Sequence, residues 1–84
     1  MSHTCTVEER KRIHAARDRL EMHDRVETTD VLDPHRDRIG RWTIEVVVSD
    51  QSVHHDILDI LGSYRLHART LQRQGEVSIL VAHV

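Results

Sequence analysis

Phenylalanine is absent from this chain, and Trp42 and Tyr64 are its only aromatic residues. The core must therefore be built from Val, Ile and Leu, and so few aromatics argue against a stacking platform for single-stranded nucleic acid. Cysteine is represented by Cys5 alone, so no intrachain disulfide framework can form. Its place ahead of the first expected helix fits an inert thiol better than a nucleophile. Lysine is nearly missing as well: Lys11 stands against eleven arginines, a bias that suits a GC-rich genome. Neither sign of charge dominates, since the net charge is −2 with histidine neutral. The whole chain thus offers no basic footprint for nucleic acid. No run is long enough to span a bilayer, and the polar, charged N-terminus lacks the apolar stretch of a signal peptide. A cytoplasmic protein with no nucleic-acid partner and no membrane contact is the expectation.

What remains is 84 residues, enough for one small domain. A domain of this size buries a modest share of its surface, so a second copy is a natural source of further burial. Residues 6–22 lack Gly and Pro and open with Thr6 and Glu9 at capping-box spacing, which predicts a helix. Ile13, Ala16 and Leu20, with Val7 earlier, give it a thin apolar stripe. Residues 26–32 favour an edge strand that ends at Asp33-Pro34, and 33–40 read as a polar loop. Trp42, Ile44, Val46 and Val48 then alternate as one face of a strand, while Val53, Ile57, Ile60, Leu61 and Tyr64 recur at helical spacing. Asp50 or Ser52 is placed to cap that helix, and Gly62 to end it in a left-handed conformation.

The last two strands, 66–73 and 77–83, meet at Gln74-Gly75. A two-residue turn there sets Arg73 opposite Glu76 and Thr70 opposite Ile79. Leu66, Ala68, Thr70, Val77, Ile79 and Val81 then share a face suited to a helical cover. The opposite face carries Leu71, Leu80 and Ala82, more apolar than solvent requires. These three are the expected interface of a homodimer, so Leu80→Arg should separate the copies without unfolding them.

The segment IEVVVSDQSVHHDILDILGSYRLHARTLQRQGEVSILVAHV resembles the first two-thirds of an ACT domain, the ferredoxin-like regulatory module of amino-acid metabolism. The likeness lies in a strand, a turn beginning Ser49-Asp50, a helix ending Ile60-Leu61-Gly62, and the closing EVSILVAH strand. The family's final helix and strand are missing after this segment, and a helix and a strand precede it instead. The resemblance therefore implies a circularly permuted αββαββ order: an α+β two-layer sandwich with a four-stranded antiparallel sheet and two helices on one face. It also implies a small-ligand site at Asp50, Gln51 and Ser52. There the family's Pro-Gly pair is replaced by Gln51 and Ser52, neither with the backbone freedom of glycine.

Eight histidines are the compositional oddity. His55 and Asp59 lie one helical turn apart and could share a divalent metal, although a solvated helical pair is the commoner use of that spacing. His67 and His83 fall on opposite faces in the register above. Asp33, His35 and Asp37 make a polar loop, and no serine has nucleophile-elbow context. With no catalytic constellation and no cofactor pattern, the chain reads as a non-enzymatic interaction or regulatory module. Its expected partner is a second copy, or another protein; the alternative is a metal-binding protein using surface histidines.

Overall fold

The structure, a computed structural model, describes residues 3–36, 40–49 and 55–84, without the side chains of residues 3–6 and of Thr70. In chain order the elements are α1 (His3–Glu21), β1 (Val26–Leu32), β2 (Thr43–Val48), α2 (His55–Ser63), β3 (His67–Gln74) and β4 (Val77–His83). This is an α+β fold with an open, wholly antiparallel sheet. Among the described residues the strand order is β1-β2-β4-β3, so β2 and β4 are central and β1 and β3 are edges.

The two helices share one sheet face because their buried residues enter a single core. Ile13, Ala16 and Leu20 of α1 and Ile57 and Leu61 of α2 pack with Ile44, Val46 and Val48 of β2. Leu80 and Ala82 of β4 complete that cluster. Their place follows from pairing: Ile44 lies opposite Ala82 and Val46 opposite Leu80, and directly paired residues point to the same side.

This reverses the expected faces of β4. Leu80 is 3 % exposed and Ala82 0 %, so neither can form a subunit interface. Leu71 lies opposite Leu80 on the same, helix-bearing side, and stays 46 % exposed. Both alternating sets of β4 are apolar, so hydropathy could not choose between them. The neighbouring strand does.

Two irregularities explain the shifted hairpin register. The turn is Gly75-Glu76, with Gln74 paired to Val77 and Arg73 to Ser78. Gly75 has φ +63°, the positive value that the first central position of a type II′ turn requires. Further along, Ala68 pairs with Ala82 and Thr70 with Val81, which leaves Arg69 as an extra residue in a β-bulge. A second bulge sits on β1, where Val26 pairs with Val48 and Thr28 with Val47, leaving out Glu27.

Helix α2 passes through Gly62 instead of stopping there, and the left-handed residue is Arg65, at φ 59°. The Leu66 amide donates to the Leu61 carbonyl at 2.9 Å, the long closing bond of a Schellman cap. A side chain in this conformation costs roughly 1 kcal/mol that glycine does not pay. Arg65→Gly should therefore raise the melting temperature by about 4–8 °C. Thermal denaturation followed by circular dichroism checks this; an unchanged or lower Tm would show that the arginine side chain compensates.

Candidate functional site

Two places gather chemistry: a cleft around Trp42, and the sheet face that no helix covers. The cleft forms where the start of α1's second half meets the β1–β2 connection. It has a volume of about 500 Å³ and is lined by Arg10 and His14 from α1, Val31, Asp33, Pro34 and His35 from the end of β1, and Trp42. A smaller hollow of about 380 Å³ shares Trp42 and Pro34 and adds Glu9, Gly40, Arg41 and Val84. The Trp42 side chain lines both and is half-buried against the core.

Local hydrogen bonding fixes the loop wall. One Asp33 carboxylate oxygen accepts from the backbone amides of His35 and Arg36, at 3.0 and 3.1 Å, as an Asx turn does. The expected polar loop thus uses Asp33 to shape itself. On the opposite wall, the His14 ring meets Trp42 edge to face, with ring centroids 6.0 Å apart. The indole Nε1 is buried and has no hydrogen-bond partner among the described residues. The cleft therefore offers an aromatic surface, one guanidinium and one carboxylate, which together suit a small planar polar molecule.

Burial lowers the His14 pKa below the ordinary 6.5, and the charges of Arg17 and Arg10 lower it further, against a smaller opposing pull from Asp18. The folded chain therefore holds fewer protons than the unfolded chain just below pH 6.5. Stability from this group is complete above that pH and declines as pH falls through it toward the folded-state value. Thermal melts of wild type and His14→Gln across this range should show the wild type losing more stability on acidification. Parallel pH profiles would remove His14 as a cause.

The uncovered face is read off the same pairing. Thr43, Glu45 and Val47 of β2 lie opposite His83, Val81 and Ile79 of β4. Those in turn lie opposite His67, Thr70 and Gln72 of β3. Val47, Val77, Ile79 and Val81 are each half-buried and run along the two central strands. His67 and His83 stand directly opposite one another at the end of this face, with ring centroids 5.8 Å apart. Sequence reasoning separated them because its register omitted the Arg69 bulge.

The expected ligand residues Asp50, Gln51 and Ser52 lie outside the described residues, as does Asp37. His55 and Asp59 are both exposed on α2. Among the described residues no three His, Cys, Asp or Glu side chains cluster as a metal ion would need. One pair was not anticipated: His23 Nε2 lies 2.7 Å from an Asp56 carboxylate oxygen and ties the α1–β1 turn to the first turn of α2. The His23 Nδ1 accepts from the Arg25 amide at 3.0 Å, so Nε2 carries the proton and donates to Asp56. No helix among the described residues is long and apolar enough to cross a membrane.

Comparison with protein-family models, with curated proteins and with solved structures gives no significant match for this chain.

Proposed function

We propose that the chain is a small, non-enzymatic interaction module that acts as a homodimer, with two copies meeting across the open sheet face. The observation that supports this is the row Val47, Val77, Ile79 and Val81, which occupies the centre of the sheet face that neither described helix covers. An apolar row of this kind is favourable to bury, and a two-fold axis lets each copy cover the other with the same surface. The contact first expected at Leu71, Leu80 and Ala82 thus moves to the opposite side of the same strands. In this reading the αββαββ order is a circular permutation of the ferredoxin-like arrangement, and a regulatory role of the ACT type at Asp50, Gln51 and Ser52 belongs with it.

Size-exclusion chromatography with light scattering tests the proposal. Wild type should elute as a dimer and Ile79→Arg as a folded monomer with an unchanged circular dichroism spectrum. A wild type that stays monomeric at hundreds of micromolar would overturn it.

A second reading is favoured by the cleft that Arg10, His14, Asp33 and Trp42 line: capture of a small planar polar molecule there. Trp42 is the only tryptophan, so its fluorescence reports that site alone. A panel of aromatic carboxylates and nucleosides that leaves the emission unmoved would dismiss it.

A further inference from the structure

We infer that His67 and His83 form one half of a transition-metal site, and that the same pair on a second copy supplies the other half. The inference rests on the dimer proposed above and names what that dimer would hold. The two residues are directly paired across β3 and β4 and point to the uncovered face. Their ring centroids are 5.8 Å apart. Two imidazoles bound through Nε2 to one tetrahedral ion, with metal–nitrogen bonds of about 2.1 Å, have centroids roughly 5 Å apart. A small rotation of the exposed His67 closes that gap.

The tautomer of His83 is already suited to the task. Its Nδ1 lies 2.8 Å from the Val84 main-chain oxygen. That main-chain oxygen accepts, so Nδ1 carries the proton and Nε2 keeps its lone pair. Metal-bound histidines are commonly oriented by such a hydrogen bond from the other ring nitrogen. Imidazole ligands suit Zn²⁺, Ni²⁺ and Cu²⁺ and disfavour Mg²⁺ and Ca²⁺.

Two imidazoles leave a tetrahedral ion half-coordinated, and among the described residues of one chain no third His, Cys, Asp or Glu side chain joins them. Facing sheets pack about 10 Å apart, which brings histidines rising from each toward a common midplane. A two-fold axis running between the faces along β3 and β4 sets each His pair against its copy. The same axis sets Ile79 and Val81 against theirs, so apolar burial and coordination ask for one geometry.

Calorimetry and light scattering on chelator-treated full chain, titrated with Zn²⁺, test this. One Zn²⁺ should bind per two chains. His67→Ala and His83→Ala should each weaken binding by at least the 10–100-fold that loss of an outer-shell partner costs. Both variants should remain dimers in the absence of metal, and His55→Ala should keep wild-type affinity. Ile79→Arg should lose the 1:2 stoichiometry together with the dimer. A metal-free dimer whose Zn²⁺ affinity is the same in wild type and His67→Ala would overturn the metal site and leave the dimer standing. A wild type that is monomeric with and without Zn²⁺ would overturn the dimer, and the shared site with it. Binding of one Zn²⁺ per chain that needs both histidines but no second copy would overturn the shared site.

Discussion

Replacing Leu80 by Arg is expected to unfold the domain, while the same change at Ile79, its neighbour in the chain, leaves it folded. Leu80 is 3 % exposed and paired with Val46 in the core. A guanidinium there would be an uncompensated buried charge, costing about 3–5 kcal/mol before the lost apolar burial is added. A domain of this length has a total stability of roughly 4–13 kcal/mol at about 0.05–0.15 kcal/mol per residue. The substitution thus removes a large part of it. Ile79 points to the other side of the sheet, where an arginine can reach water. Circular dichroism melts of the two variants decide the matter. A cooperative transition for Leu80→Arg near the wild-type temperature would mean that the faces of β4 are assigned the wrong way round.

Leu20→Ala should be the second large effect. Leu20 is fully buried near the end of α1, together with Ile13 and Ala16, in the core shared with β2 and α2. Truncating a buried leucine costs about 2–5 kcal/mol, depending on how far the cavity collapses. At roughly 4–8 °C per kcal/mol, Tm should fall by about 10 °C or more. Val7, on the same apolar stripe in sequence, is 50 % exposed, and Val7→Ala should leave Tm within a few degrees. If the two variants melt alike, α1 does not dock through its C-terminal half.

Much of the fold was legible because periodicity alone distinguishes its elements. Ile44, Val46 and Val48 alternate and are buried, while Ile57 and Leu61 recur at helical spacing and are buried beneath them. What hydropathy could not supply was the inward side of β4, whose Leu80 and Val81 are equally apolar neighbours. A bulge at Arg69, between Ala68 and Thr70, leaves no mark in the sequence, and without it His67 and His83 fall on opposite faces. The left-handed cap was sought at Gly62, the residue suited to it, but the helix runs on and forces Arg65 into that conformation.

The candidate site was less legible, for a related reason. Trp42 attracts notice in any reading, yet its neighbours Arg10, His14 and Asp33 come from far along the chain. Only the docking of α1 beside the end of β1 brings them to one place. The His23–Asp56 pair likewise joins residues on two helical ends that no local pattern connects. His55 and Asp59, whose spacing was visible, are exposed on α2.

The bulges on β1 and β3 bear on growth of the sheet from chain to chain. An edge strand exposes a row of unpaired amides and carbonyls that can template another strand, and fibrils extend by that means. Both edges of this sheet are interrupted, and the residue left out of register is charged in each case, Glu27 on one side and Arg69 on the other. A strand approaching either edge meets a kinked backbone and a charged residue at the kink. Polymerisation along the sheet is thereby disfavoured at both ends, even at the protein concentrations of a crowded cell.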